Sequence, residues 1–122
     1  MTLTGKIYTI AFYDEVHDEA ALQAYAALAA PAVVAAGAQY LSRGEPVATY
    51  EAGLQARVTL LEWDSLDQAL ALYESPAYLA ALEKLGGSVR RDIRIVPAFD
   101  QALLAPDAGD NGQASDQTEG AV

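Results

Sequence analysis

Val58-Thr59-Leu60-Leu61-Glu62-Trp63 reads as a β-strand: it is rich in β-branched and aromatic residues, and Asp64-Ser65 then opens a helix. Its apolar side chains fall on both parities, Val58 and Leu60 on one face, Leu61 and Trp63 on the other. Ile7-Tyr8-Thr9-Ile10-Ala11-Phe12 does the same. A strand with one face in water would alternate cleanly between apolar and polar. Both faces of this sheet are therefore expected to be covered.

The other elements follow outward from these two strands. Lys6 to Tyr13 is the first strand, and a helix starts at about Asp18, with Leu22, Tyr25, Leu28 and Ala29 three or four apart. Pro31 inside that helix predicts a kink or two abutting pieces, and Gly37 supplies the stop. A strand over Gln39 to Arg43 ends at Gly44-Glu45-Pro46, and Val47 to Tyr50 is read as a further short strand. The second helix starts at Ser65, which with Gln68 has the form of a capping box. It carries Leu66, Ala69, Leu70 and Tyr73 on one face and breaks at Ser75-Pro76, where a cap and an N-terminal proline begin a new segment. That segment runs through Leu79, Leu82 and Leu85 to Gly86-Gly87. Asp92 to Phe99 is the last strand, and Pro97 within it predicts an edge position.

The order predicts an α+β fold, the ferredoxin-like βαββαβ sandwich. Residues 1–104 form the domain. Residues 105–122, poor in apolar side chains, read as a disordered acidic tail. Two helices cover one face of such a sheet. In a chain of 122 residues the simplest cover for the other is a second copy, so a homodimer is expected.

Charge narrows the partners. With 17 acidic against 7 basic side chains the formal net charge is −10, which repels nucleic acid and anionic membranes. No apolar run approaches the roughly 20 residues needed to span a bilayer, and no secretory signal pattern is present, so a cytoplasmic location is expected. The chain has no Cys, which removes disulfides, thiolate metal sites and a Cys nucleophile. His17 is the single histidine. Asp14, Glu15, Asp18 and Glu19 around it are explained by the positive end of a helix dipole, so no metal is expected. The glycines read as turn residues without a phosphate-binding or dinucleotide pattern, so no cofactor is expected either.

Arg43 and Glu62 are charges inside otherwise apolar strands, where a lone charge is costly unless paired, wet or used. Strict alternation puts Gln39, Leu41 and Arg43 on one face, and Val58, Leu60 and Glu62 on one face. If Tyr40 and Trp63 pack under the helices, Arg43 and Glu62 both face the space between protomers. There Arg43 would hold a carboxylate or enolate and Glu62 would move a proton. A structural ion pair or interface contact explains the same two residues. Tyr8 and Tyr78 are candidates to line an amphipathic ligand cavity, with Ser75 beside Tyr78; as a nucleophile Ser75 would need His17, and a cap is the simpler role.

Three blocks resemble a known family: Pro31-Ala-Val-Val-Ala-Ala-Gly37-Ala-Gln-Tyr-Leu-Ser-Arg43-Gly44, Leu61-Glu62-Trp63-Asp64-Ser65 and Tyr73-Glu-Ser75-Pro76-Ala-Tyr78. Together they are similar to the domain of unknown function 1330, over about Gly5 to Phe99. The resemblance implies the fold of the dimeric α/β barrels, in which two ferredoxin-like sheets close face to face. Arg43, Gly44, Glu62, Ser75, Pro76 and Tyr78 match the family's usual residues. Gly37-Ala38-Gln39 stands where the family often has Gly-Gly-Arg, and Leu85 and Gly87 stand where an Arg is common. An arginine cluster holding an anion is therefore not expected.

Two functions stay open. One is a cofactor-free enzyme of isomerisation, cyclisation or lactone processing, acting on a small organic, anionic molecule in a cleft between sheet and helices; fold analogy alone suggests it. The other is a metabolite-binding or regulatory module, or a bare dimeric scaffold, without turnover.

Overall fold

The computed structural model describes residues 5–104; the expected tail at 105–122 lies outside them. The elements are β1 (Ile7–Val16), α1 (Glu19–Ala35), β2 (Gln39–Gly44), β3 (Val58–Trp63), α2 (Leu66–Leu72), α3 (Pro76–Leu85) and β4 (Val89–Pro97), followed by a 3₁₀ turn, Gln101–Leu104. All strand pairs are antiparallel and the sheet order is β2-β3-β1-β4. This is the ferredoxin-like α+β arrangement, and Pro97 lies, as expected, in an edge strand.

Alternation decides what each face meets. In β1, Ile7, Thr9, Ala11 and Tyr13 are buried, and in β3, Thr59, Leu61 and Trp63. These residues form one core with Leu22, Tyr25, Ala29, Ala32 and Val33 of α1, Ala69 and Leu72 of α2, and Tyr78, Ala81 and Leu85 of α3. Trp63 and Ile7 are the largest fully enclosed side chains, and the Trp63 indole N–H donates to the Thr9 hydroxyl at 2.9 Å. The opposite face carries Tyr8, Ile10, Phe12, Val58, Leu60, Glu62 and Val96, all half-buried. Among the described residues no helix covers it.

Several local expectations shift. The helix through Pro31 is continuous. Pro31 and Ala27, whose carbonyl loses its helical partner to the proline, are both exposed, where a lost backbone bond costs least. The buried stripe runs past the proline from Tyr25 and Ala29 to Ala32 and Val33, and this packing holds the helix together. Val47 to Tyr50 is not a strand: residues 45–57 form a loop with Val47, Tyr50 and Leu54 exposed. Gln55 Nε2 donates to the Pro46 carbonyl across this loop. Leu28, Leu70 and Leu79 face solvent, because the buried stripes centre on the tyrosines and alanines beside them.

The caps largely follow the sequence. Asp18 accepts from the Ala21 amide, Ser65 from the Gln68 amide and Ser75 from the Tyr78 amide, at 3.1–3.2 Å. Gln68 reaches back to the Asp64 amide instead of completing the reciprocal box at Ser65.

Candidate functional site

Between the helices and the buried face of the sheet lies a cavity of about 300 Å³. Three arginines reach it. Arg43 comes from β2, Arg57 from the residue before β3 and Arg91 from β4, while β1 supplies Thr9, Ala11 and Tyr13 to the floor. Tyr25 of α1, Tyr73 after α2 and Tyr78 of α3 complete an aromatic wall. The lining contains no Asp, Glu or His. In a chain of net charge −10 this is a local inversion of sign.

Arg43 arrives by way of a β-bulge. Tyr40 pairs with Leu61, but the next register pair is Ser42 with Leu60, so one extra residue, Leu41, is accommodated. Arg43 then stands opposite Thr59, on the helix side with Tyr40. Strict alternation put it on the other face, and the bulge reverses that. Glu62 stays on the uncovered face, opposite Tyr8 and Gln39. Arg43 and Glu62 are thus on opposite sides of the sheet and do not meet at a shared space. Their expected partnership over one ligand is corrected by this register.

The other candidates separate likewise. Tyr8 donates to Glu62 Oε2 at 3.1 Å, so these two meet each other on the uncovered face. Tyr78 is 2 % exposed and lines the cavity. The Ser75 hydroxyl accepts from the Tyr78 amide and donates to the Leu72 carbonyl, so it is fully engaged as a cap between α2 and α3. His17 is exposed beside Glu15 at 3.2 Å. Among the described residues no cluster of His, Cys, Asp or Glu is arranged to hold a metal ion.

At the cavity's inner end the hydroxyls of Tyr25 and Tyr78 share one hydrogen bond at 2.6 Å, and Arg91 Nη1 donates to Tyr25 at 3.1 Å and to Tyr13 at 3.5 Å. The Tyr78 ring stands edge-on to Tyr25 and Tyr73, with centroids 6.0 and 5.1 Å apart. The guanidinium of Arg91 lies 5.1 Å from the Tyr25 ring centre, and those of Arg91 and Arg57 lie 5.6 and 5.8 Å from that of Tyr13. Arg43 lies 5.4 Å from the Tyr40 ring centre. Burial pushes the phenol pKa values of Tyr25, Tyr40, Tyr73 and Tyr78 upward, so these hydroxyls stay neutral and donate. Two hydroxyls sharing one hydrogen bond leave one O–H over, whichever of Tyr25 and Tyr78 donates. The site offers cations and hydroxyl donors and supplies few acceptors. It can hold an anion or stabilise a developing oxyanion.

Arg57 and Arg91 carry no expected site role from the sequence. Arg91 was within reach: in Arg91-Asp92-Ile93-Arg94-Ile95 it shares its parity with Ile93 and Ile95, so it is a charge on an apolar strand face, the same signal that marked Arg43 and Glu62. Despite the family departures, three arginines line this one cavity, from β2, the β3 entrance and β4.

Fold and site together define a ferredoxin-like α+β domain with a basic, tyrosine-walled cavity under its helices. The chain belongs to the family described as Domain of unknown function (DUF1330), whose pattern matches residues 6–99. Solved structures agree on the fold. A protein of unknown function from Rhodopseudomonas palustris, RPA0582, aligns with a TM-score of 0.64 at 14 % identity over 79 % of this chain and 84 % of its own. SnoaB, a cofactor-independent oxygenase from Streptomyces nogalater, aligns at 0.58 and 12 % identity, over 80 % and 96 %. A dimeric ferredoxin-like protein of unknown function from Thermobifida fusca aligns at 0.54 and 21 % identity, over 80 % and 95 %. No curated protein matches the chain significantly. No helix of the described residues is long and apolar enough to cross a membrane.

Proposed function

We propose that this protein is a homodimer, each subunit of which binds a small organic molecule in the cavity between sheet and helices, with Arg43 on the ligand's anionic end and Tyr78 shaping its bed. The observation that carries this reading is the cavity itself: about 300 Å³, lined largely by aromatic and apolar side chains, with arginines and no carboxylate. Dimerisation is supported by the uncovered face, where Ile10, Phe12, Leu60 and Val96 are only half-buried, and by the dimeric Thermobifida fusca neighbour. Native mass spectrometry of freshly purified full-length protein tests both parts. The expected result is a mass of two chains with a small molecule retained per subunit; a bare single chain at micromolar concentration overturns the dimer.

A catalytic reading has one observation in its favour, the Tyr8–Glu62 hydrogen bond on the face that a partner would enclose. It places proton transfer in the space between sheets, apart from the arginines. Under it, Glu62→Gln abolishes turnover of a lactone or enolisable substrate while the melting temperature holds. If Glu62→Gln lowers the melting temperature and loosens the dimer instead, Glu62 is an interface residue and binding without turnover is the function.

A further inference from the structure

Arg57 has a counter-ion, Glu19 Oε2 at 3.6 Å, on the first turn of α1. Arg43 and Arg91 have none: among the described residues no carboxylate oxygen lies within ion-pair distance of either. Arg91 is only half-exposed, and both of its hydrogen bonds go through Nη1 to neutral phenols, which leaves the Nε–Nη2 edge of its fork for another acceptor. A desolvated guanidinium without a counter-charge costs several kcal/mol in general and is retained where something compensates it. Elsewhere in this chain arginines meet acids readily, as Arg94 does with Asp92 at 2.7 Å and Arg90 with Asp14 and Glu15. Of the three cavity arginines only Arg57 is paired.

The two unpaired cations also sit at opposite ends. Arg43 is on one edge strand and Arg91 on the other, three interstrand spacings across and two residues along by register, or about 16 Å apart at the backbone. By register the sheet between them carries Thr59, Ala11 and Tyr13, and the rings of Tyr73 and Tyr78 line the helix side. From this we infer that the ligand is a flat, unsaturated organic acid with two anionic oxygen groups, one at each end, the inner held by the Arg91 fork with the spare tyrosine hydroxyl and the outer by Arg43. The space, about ten water volumes, suits a single substituted ring. This inference rests on the small-molecule reading above and adds the charge and shape of what binds.

Calorimetric titration of the full-length dimer with terephthalate, benzoate and benzamide tests it, since the three share one ring and differ in charge. Terephthalate is expected to bind roughly 10-fold or more tighter than benzoate, and benzoate tighter than benzamide. Arg43→Gln, at an exposed residue without an ion-pair partner, should bring terephthalate down to the benzoate level and leave benzoate within about 2-fold. Arg91→Lys keeps the charge but loses the fork, and should weaken both acids. Equal affinity for terephthalate and benzoate, or an Arg43→Gln protein that binds terephthalate unchanged, overturns the two-ended anion. Benzamide binding as tightly as the acids overturns the charge argument and leaves the small-molecule cavity standing. A chain that binds none of the three at millimolar concentration overturns both.

Discussion

The Tyr25 hydroxyl accepts from Arg91 and shares a 2.6 Å bond with Tyr78, so one atom joins α1, α3 and β4. Tyr25→Phe removes it and leaves Arg91 with Tyr13 alone. A loss of about 1–2 kcal/mol in denaturant unfolding is expected, with weakened binding of anionic probes. The same tyrosines set an alkaline limit. Burial raises their folded pKa values above the ordinary 10.0, whereas the unfolded chain ionises there. Above about pH 10 the unfolded state therefore holds fewer protons, and stability falls as pH rises through the folded values. Tyrosinate absorbance should lag behind that of the denatured protein, and the melting temperature should drop above pH 10 but not between 6 and 9. At this scale Arg43 and Tyr78 were legible as unusual residues. Which side of the sheet a charge takes was not, because it depends on register.

The decisive element is β2. Nothing in Gln39-Tyr40-Leu41-Ser42-Arg43 marks a bulge, since each residue is compatible with a straight ladder; the extra residue is fixed by fitting Tyr40 and Arg43 to the same side. Terminal signals were far more legible. Asp18, Ser65 and Ser75 cap the helices at the positions their side chains predict, because capping is a local hydrogen bond needing no tertiary partner. Pro31 leaves α1 in one piece instead of two for the opposite reason, because core packing on both sides of it outweighs one lost hydrogen bond. Ser75→Ala separates cap from site: about 1 kcal/mol of stability should go, read from denaturant midpoints, while anion affinity stays within error. A large loss of binding without loss of stability would return Ser75 to the site.

For the whole molecule, the sequence already carried the fold: β1 and β3 are apolar on both parities, and the helices cover only one face. A cavity lies between sheet and helices, where the sequence places a ligand cleft, but Arg43 and Glu62, expected together in the space between protomers, divide across the sheet. Under the proposed function, Leu60→Asp, a half-buried position facing away from the helices, should shift the proposed dimer to monomer in sedimentation velocity while anion binding persists. Coincident loss of fold and binding would mean that the subunit cannot stand alone.

The sheet is a partition one chain thick, and neighbouring positions along it answer to different masters. Thr9, Ala11 and Tyr13 border the arginine chamber; Ile10 and Phe12 between them face away. Evolutionary drift should thus be out of step from one codon to the next: a lineage changing its ligand would rewrite odd positions of β1, and one changing its assembly the even ones. Library designers can exploit this by randomising a single parity, retuning chemistry without touching quaternary structure.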